Sequence, residues 1–217
     1  MKQPTDVQRS QAETQGRCNW EHAMRQSSTG SGSSDPTDAH RRLRQFCRGK
    51  TAERLFVQST CHPAEPTGFC FCEGSPWRAI RFYARALLLD LTFRLPSNGL
   101  KVWFLRRLGA RVGNPVYFSH GVWIDPMFPE LLTIEDRVFF GMGAKVFTHE
   151  FRIDQFRAGK VLIRRGAFIG GFAVVRCGVE IGEDSVVGAC CVVHRDVPAG
   201  HTMFVPPAHL VKRAEKP

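Results

Sequence analysis

The 217-residue sequence is 43% hydrophobic and carries 30 lysine and arginine residues against 20 acidic ones, a formal net charge of +10. Residues 1–111 hold 18 of the basic residues and 9 of the acidic ones, so this half alone accounts for +9. No aromatic-rich binding motif accompanies the charge, and we therefore do not expect a nucleic-acid-binding protein. The length predicts one folded domain with additional segments.

Residues 1–74 differ in composition from the rest of the chain. The stretch 26–37 contains only Gln, Ser, Thr, Gly, Asp and Pro, a composition that disfavours a packed core. Met1 is followed by polar residues rather than by the apolar core of a signal peptide. We expect residues 1–74 to be a disordered extension, and the sequence leaves open whether it belongs to the native folded protein.

The eight cysteines do not form a pattern typical of a disulfide framework. Cys70 and Cys72 are separated by one residue, whereas a zinc half-site needs two to four intervening residues. Cys177, Cys190 and Cys191 lie in the repeat described below, at positions that favour small residues. The pattern favours free thiols in a cytoplasmic protein, and it predicts no metal site.

Residues 77–95 combine an arginine stripe with an apolar stripe at helical spacing and predict a helix. Ser97 is a suitable N-cap for a second helix. Two charged residues interrupt the apolar run, which is therefore too short to span a bilayer. The pair of helices has two interpretations. It either caps the open end of the domain that follows, which we favour, or makes peripheral contact with a membrane through residues 77–107.

A period of six residues dominates the stretch 163–197. A branched aliphatic residue occupies every sixth position: Ile163, Ile169, Val175, Ile181, Val187 and Val193. Four residues after each stands a small or β-branched residue: Ala167, Ala173, Val179, Ser185, Cys191 and Val197. A helix repeats at 3.6 residues and a strand at two, so neither explains this pattern. It predicts a solenoid of short strands, three units to a coil, with the aliphatic side chains inside.

The same period begins imperfectly at Val112 and is interrupted over residues 126–132. The gap of 17 residues between Val146 and Ile163 is not a multiple of six. We therefore expect residues 147–162 to leave the solenoid as a protruding loop. Loops on a rigid scaffold are frequent sites of chemistry.

Three stretches resemble the hexapeptide-repeat acyltransferases, and most closely the maltose and galactoside O-acetyltransferases. They are residues 125–134 (DPMFPELLTI), 148–151 (THEF) and the ending formed by 197–198 (VP) with 207–212 (PAHLVK). The resemblance covers about residues 77–213. It implies an all-β solenoid, a left-handed parallel β-helix with an N-terminal helical segment and a protruding loop.

The expected organisation has three parts. A disordered extension covers residues 1–74, a helical segment covers 75–110, and the β-helix acyltransferase domain covers 111–213. The protruding loop of that domain is expected at residues 147–162.

The resemblance also implies a site. In that family a loop histidine is the general base for the acceptor hydroxyl, and His149 holds its place. A neutral imidazole suits this role, because it can take the proton of a weakly acidic hydroxyl near pH 7. The implied reaction is direct transfer from acetyl-CoA to a sugar or glycan precursor. Asp125 and Glu150 are candidates to orient the ring or the acceptor, and His120 aligns near an acceptor-binding position.

The resemblance implies five residues that bind coenzyme A. Gly171 and Ala189 fall where the pantetheine arm lies along the coils, and small residues let a ligand approach the backbone closely. Arg195, Lys212 and Arg213 match basic positions that meet the nucleotide phosphates. Each also has a simpler interpretation, as a small residue that the repeat requires or as an isolated surface charge.

The chain departs from the family pattern at several positions. Phe168 replaces a common tryptophan, and Val205 stands where the family tail has glycine. Arg164, Arg176 and His194 replace small turn residues, which predicts distorted corners.

The outward positions of the repeat predict assembly. Phe168 and Val186 share one face, Val174 and Val192 share the next, and Glu180 lies on the third. Because contiguous exposed apolar patches usually mark interfaces, we expect a homotrimer whose active site lies between chains.

Two other functions compete with acyl transfer. One is a non-catalytic trimeric β-helix scaffold. The other is a metalloenzyme similar to the γ-carbonic anhydrases, which we disfavour because that chemistry needs several histidines on zinc and the loop supplies only His149.

Overall fold

The computed structural model describes residues 36–59, 76–151 and 155–205. The chain divides into two compact units, residues 1–39 and 40–217. Of the first unit, the structure describes only the last four residues, which begin a helix. Apart from the start of that helix, all of the architecture below belongs to the second unit.

The described helices precede and interrupt the solenoid. They are α1 (Pro36–Cys47), α2 (Pro76–Arg94), α3 (Asn98–Arg107) and a 3-10 turn (Pro129–Leu131). Ser97 is the N-cap of α3, and its side chain accepts a hydrogen bond from the N–H of Leu100 at 3.4 Å. Helix α2 begins and ends within one residue of the bounds expected from the sequence, and α3 begins directly after its expected cap. None of the described helices has the length and apolarity that crossing a bilayer demands.

The described residues form sixteen strands in four sheets. Sheet 1 contains, in spatial order, β13 (Glu180–Ile181), β10 (Val161–Ile163), β5 (Leu132–Ile134) and β2 (Arg111–Val112). Sheet 2 contains β16 (Thr202–Met203), β14 (Val186–Val187), β11 (Phe168–Ile169), β6 (Val138–Phe140) and β3 (Val116–Phe118). Sheet 3 contains β15 (Val192–Val193), β12 (Val174–Val175), β7 (Lys145–Val146) and β4 (Trp123–Ile124). Sheet 4 contains β1 (Leu55–Ser59), β9 (Gln155–Gly159) and β8 (His149–Phe151).

Sheets 1, 2 and 3 are parallel and confirm the six-residue period. Ile163 pairs with Ile181, 18 residues later, and Ile169 pairs with Val187 at the same spacing. All six predicted inward aliphatics are completely buried, and the small residues four positions later are at most 4% exposed. Each coil therefore contributes one strand to each parallel sheet and one aliphatic side chain to the interior from each face.

Glycine follows an inward aliphatic residue where two coils approach closely. A Cβ atom added to Gly170 would lie 2.5 Å from the backbone nitrogen of Ala189 in the next coil. A side chain at this position would therefore force the two coils apart.

The helices α2 and α3 close the first coil. Leu89, Phe93 and Leu105 belong to the same buried cluster as the inward residues of that coil. The Phe93 ring meets the Phe118 ring edge-on at 5.3 Å, and Lys101 Nζ donates to the Phe118 carbonyl at 3.0 Å. One face of this helical segment is thus a cap, as the favoured interpretation of the sequence expects.

The segment that leaves the parallel solenoid is shorter than the expected 147–162, because Val161 and Leu162 already belong to β10 and pair with β5. It forms a hairpin rather than an irregular loop. Strands β8 and β9 pair antiparallel, with His149 opposite Ala158. Strand β1 then pairs with the other edge of β9, where Phe56 lies opposite Ala158.

Residues 36–59 contain helix α1 and strand β1, whereas the sequence analysis placed them in a disordered extension. Phe46 of α1 and Phe56 of β1 are 1% and 3% exposed, and their ring centroids lie 5.9 Å apart. The core of this segment forms with residues about a hundred positions later, so no local periodicity marks it. The remainder of the expected extension, residues 1–35 and 60–74, lies outside the described residues.

Candidate active site

Asp125 is the centre of a hydrogen-bond network at the end of β4. Its side chain is completely buried. Oδ1 accepts the N–H of Met127 at 2.9 Å, while Oδ2 accepts the N–H and the hydroxyl of Thr148 at 3.0 and 2.9 Å. The N–H of His149 also reaches Oδ2, at 3.2 Å. These donors compensate the carboxylate for the water that it loses on burial.

The His149 imidazole is bound to the same carboxylate through Nδ1. A carboxylate only accepts, so Nδ1 carries a proton and, in the neutral ring, Nε2 keeps a free lone pair. The His149 side chain is 15% exposed, enough for a small group to reach it. This is the geometry of a base oriented by a buried acid.

Asp125 stays ionised in this setting. Burial alone would raise the pKa of its carboxyl, but the hydrogen bond and the charge of His149 lower it, and the N–H groups of Met127 and Thr148 add to that effect. The net pKa is below the ordinary value. A negative carboxylate near pH 7 is the form that stabilises an imidazolium.

Three phenylalanines surround the imidazole. The rings of Phe128 and Phe151 meet it edge-on at 5.9 and 5.4 Å, and the Phe156 ring lies 6.2 Å away at 30°. Phe156 is completely buried, whereas Phe151 is 47% exposed. The ring of His149 is therefore held by packing as well as by its hydrogen bond. Sequence analysis missed these three residues, although Phe156 and Ala158 alternate with polar residues as a buried strand would.

Glu150 does not orient the imidazole through the contacts that the structure records. Its carboxylate is bound bidentately by Arg176 of the neighbouring coil, with Nε donating to Oε1 at 2.6 Å. Burial would raise the pKa of Glu150, but Arg176 and the charge of Arg157 bring it below the ordinary value. Burial and the nearby Glu150 raise the pKa of the Cys177 thiol to about 12. Arg176, expected to distort a corner, instead links the hairpin to the solenoid.

The expected coenzyme A residues Gly171 and Ala189 lie at another corner, between sheets 2 and 3. The turns of successive coils stack there. The N–H of Gly143 donates to the His120 carbonyl at 3.0 Å, and the N–H of Cys190 donates to the Gly171 carbonyl at 2.9 Å. His120 and Ala189 are exposed at this corner.

One chain does not bring this corner to His149. Gly171 precedes β12, whereas His149 follows β7, and these two strands are parallel neighbours. The two groups consequently lie at opposite ends of the strands of sheet 3. Arg195 is exposed and follows β15, so it lies at the same end as His149. Lys212 and Arg213 lie outside the described residues.

Among the described residues, no group of three or more His, Cys, Asp and Glu side chains is arranged to hold a metal ion.

Comparisons with known proteins agree with the repeat. Residues 160–195 match the family described as Bacterial transferase hexapeptide (six repeats). The chain is 32% identical over 131 residues to "Putative acetyltransferase YvoF" of Bacillus subtilis, covering 60% of this chain and 76% of that protein. It is 28% identical over 153 residues to the galactoside O-acetyltransferase of Escherichia coli, covering 58% and 74% respectively.

A solved structure shares the fold. It is a hexapeptide-repeat acetyltransferase of Vibrio cholerae in complex with acetyl coenzyme A, similar with a TM-score of 0.50 and 21% sequence identity. The match covers 66% of this chain and 92% of that one.

Proposed function

Since the chain belongs to the hexapeptide-repeat acetyltransferase family, we propose that it transfers the acetyl group of acetyl-CoA to a hydroxyl of a saccharide-like acceptor. Family membership also implies the left-handed turn of the three parallel sheets. The observation that carries the proposal is the pairing of His149 with the buried Asp125, because a base fixed in one tautomer suits proton removal from a hydroxyl.

The proposed reaction is a direct transfer. His149 Nε2 takes the acceptor hydroxyl proton as the oxygen attacks the thioester carbonyl carbon. The tetrahedral intermediate then collapses, the C–S bond breaks, and the coenzyme A thiolate leaves. The imidazolium returns its proton to the thiolate, which restores neutral His149. Asp125 stabilises the imidazolium between these two proton transfers.

An acyl-cysteine intermediate is not part of the proposal. The thiol of Cys177 lies beside Glu150, next to the candidate site. With a pKa raised to about 12, it is almost entirely protonated at neutral pH and is a weak nucleophile.

Gly171 and Ala189 are proposed to bind the thioester end of acetyl-CoA. Within the described ranges, the N–H groups of these two residues donate to no backbone carbonyl. Free N–H groups at a coil corner can stabilise the negative charge that develops on the thioester oxygen. Arg195, Lys212 and Arg213 remain proposed contacts for the nucleotide phosphates.

The proposed site is shared between chains of a homotrimer. His149 and Gly171 lie at opposite ends of sheet 3, so a site that contains both requires a neighbouring chain. The outward residue Val192 is 52% exposed and Phe168 is 41% exposed, which leaves apolar surface for such contacts. In sheet 2 the rings of Phe139 and Phe168 stack at 5.1 Å and 6°, forming a flat outer ladder.

The three residues expected to bind the acceptor, Asp125, Glu150 and His120, are proposed to have different roles. Asp125 has no exposed surface, so we assign it to orientation of His149. Glu150 is 17% exposed and held by Arg176, which leaves one edge of its carboxylate for a sugar hydroxyl. His120, at the other corner, would meet an acceptor bound by a different chain of the trimer. The expected boundary at residue 110 and the cytoplasmic location also remain proposals.

Thiol release from acetyl-CoA tests the function. Sugars, nucleotide sugars and amino acids are offered as acceptors, with the chain and no acceptor as the blank. We expect turnover with at least one hydroxylated sugar. If acetyl-CoA gives no heat on calorimetric titration and no acceptor is acetylated, the chain is a scaffold rather than an enzyme.

A further inference from the structure

Helix α2 has two apolar faces, and the cap over the first coil uses one of them. Leu89 and Phe93 are 2% and 3% exposed in the buried cluster. Ile80, Leu87 and Leu91 are 56%, 68% and 54% exposed. Because each residue of a helix advances by about 100°, these three share one stripe, which points away from the capped coil.

Further large apolar residues of α2 and α3 are also exposed. Trp77, at the start of α2, is 74% exposed, and Leu88 is 51% exposed. In α3, Leu100 and Trp103 are 39% and 57% exposed. Large exposed apolar patches on soluble proteins usually mark interaction sites, so the apolar stripe along α2 indicates a binding surface.

The charge of the same segment indicates what that occupant is. Residues 76–111 contain eight basic residues and one acidic residue, Asp90, which is ion-paired with Arg94 at 3.0 Å. Arg107 and Arg111 are exposed. A second copy of this segment would bring arginines against arginines, which is unfavourable. An anionic surface with an apolar layer beneath it matches both features.

We propose that α2 and α3 bind an anionic lipid bilayer. They lie in its interface, with the exposed stripe of α2 at the level of the acyl chains and the arginines among the headgroups. Tryptophans suit this position, because their rings prefer the boundary between headgroups and acyl chains. The contact is peripheral, since none of the described helices is long and apolar enough to cross the bilayer. This inference does not depend on the acetyl acceptor or on His149.

Co-sedimentation with lipid vesicles tests the proposal on the full chain. Vesicles contain either phosphatidylcholine alone or equal amounts of phosphatidylcholine and phosphatidylglycerol. We expect binding to the anionic vesicles, weakened by salt, and at least about tenfold weaker partition to the neutral ones. The double variant Leu87→Glu with Leu91→Glu should lose about tenfold or more of the anionic partition. Met142→Glu, which changes a residue that is 57% exposed on the solenoid, should bind as the wild type does.

A second variant does not touch the apolar stripe. Arg107→Gln with Arg111→Gln should reduce the preference for anionic vesicles while circular dichroism stays unchanged. Absence of wild-type binding to anionic vesicles, or wild-type binding by both double variants, overturns the proposal. It is equally overturned if the leucine variant binds vesicles normally and instead sediments as a smaller species, because the stripe is then an interface between copies.

Discussion

The carboxylate of Asp125 holds the imidazole of His149 although the two residues are 24 positions apart. Strands β4 and β7 are parallel neighbours, and Ile124 pairs with Val146. Asp125 follows β4 and His149 follows β7, so both lie at the same end of these strands. The solenoid therefore positions Asp125 beside the hairpin that carries His149, Phe151 and Phe156, while Phe128 comes from the turn after β4.

The first prediction concerns Asp125→Asn. The amide keeps the shape but loses the charge that fixes the tautomer and stabilises the imidazolium, so kcat should fall about 10²-fold. Coenzyme A affinity should be unchanged, because Asp125 has no exposed surface that a nucleotide could contact. Steady-state kinetics and calorimetry measure both. The control is Asp136→Asn, whose carboxylate accepts the N–H of Asn114 at 2.7 Å without a histidine beside it, and which should retain turnover.

The second prediction concerns pH and stability. The folded-state pKa of Glu150 is lowered, so its ionised form stabilises the fold above the unfolded-state pKa of about 4.3, and protonation removes that stabilisation as the pH falls towards the folded-state value. The free energy of unfolding should decrease below about pH 4.3, and Glu150→Gln should show a smaller decrease. Urea denaturation across this range decides. If the free energy of unfolding falls equally with pH in the wild type and in Glu150→Gln, the Glu150–Arg176 ion pair does not contribute to this pH dependence.

The third prediction concerns the segment before the helical cap. Phe56→Ala should lower the free energy of unfolding by about 3 kcal/mol, because it removes a buried ring that packs on Phe46. It should also reduce kcat, because β1 supports the strand β9 that backs His149. Phe56→Leu is the matched control and should cost less than about 1.5 kcal/mol. Wild-type stability and turnover for the alanine variant would return this segment to the role of a dispensable extension.

These residues show what could be predicted from sequence and what could not. The inward position of Ile163 and Ile169 follows from local spacing, because the six-residue period identifies the side chains that point into the solenoid. The proposed role of His149 rests on the resemblance, at a place where the period fails. The partner of Glu150 and the pairing of β1 were missed, because both arise between segments far apart in the chain and leave no periodic trace. Arg176 was expected to distort a corner of the repeat, because its partner Glu150 lies in a different segment of the chain.

The fourth prediction concerns assembly. Val174 and Val192 are register partners on the outside of sheet 3. Val174→Arg with Val192→Arg should give monomers without activity, because the proposed site needs two chains. The control Val174→Thr with Val192→Thr keeps the shape of the valine side chains and introduces no charge, so it should assemble as the wild type does. Sedimentation velocity and thiol release measure the outcome, and a fully active monomer would refute the shared site.

The central claim is that His149 removes the acceptor proton, and His149→Ala tests it most directly. Thiol release is measured with saturating acetyl-CoA and acceptor, and the acetyl-CoA Kd is measured by calorimetry on the same preparation. The account predicts a kcat about 10²-fold lower or more with an unchanged Kd, while the exposed His201→Ala behaves as the wild type does. Wild-type kcat for His149→Ala would contradict the account.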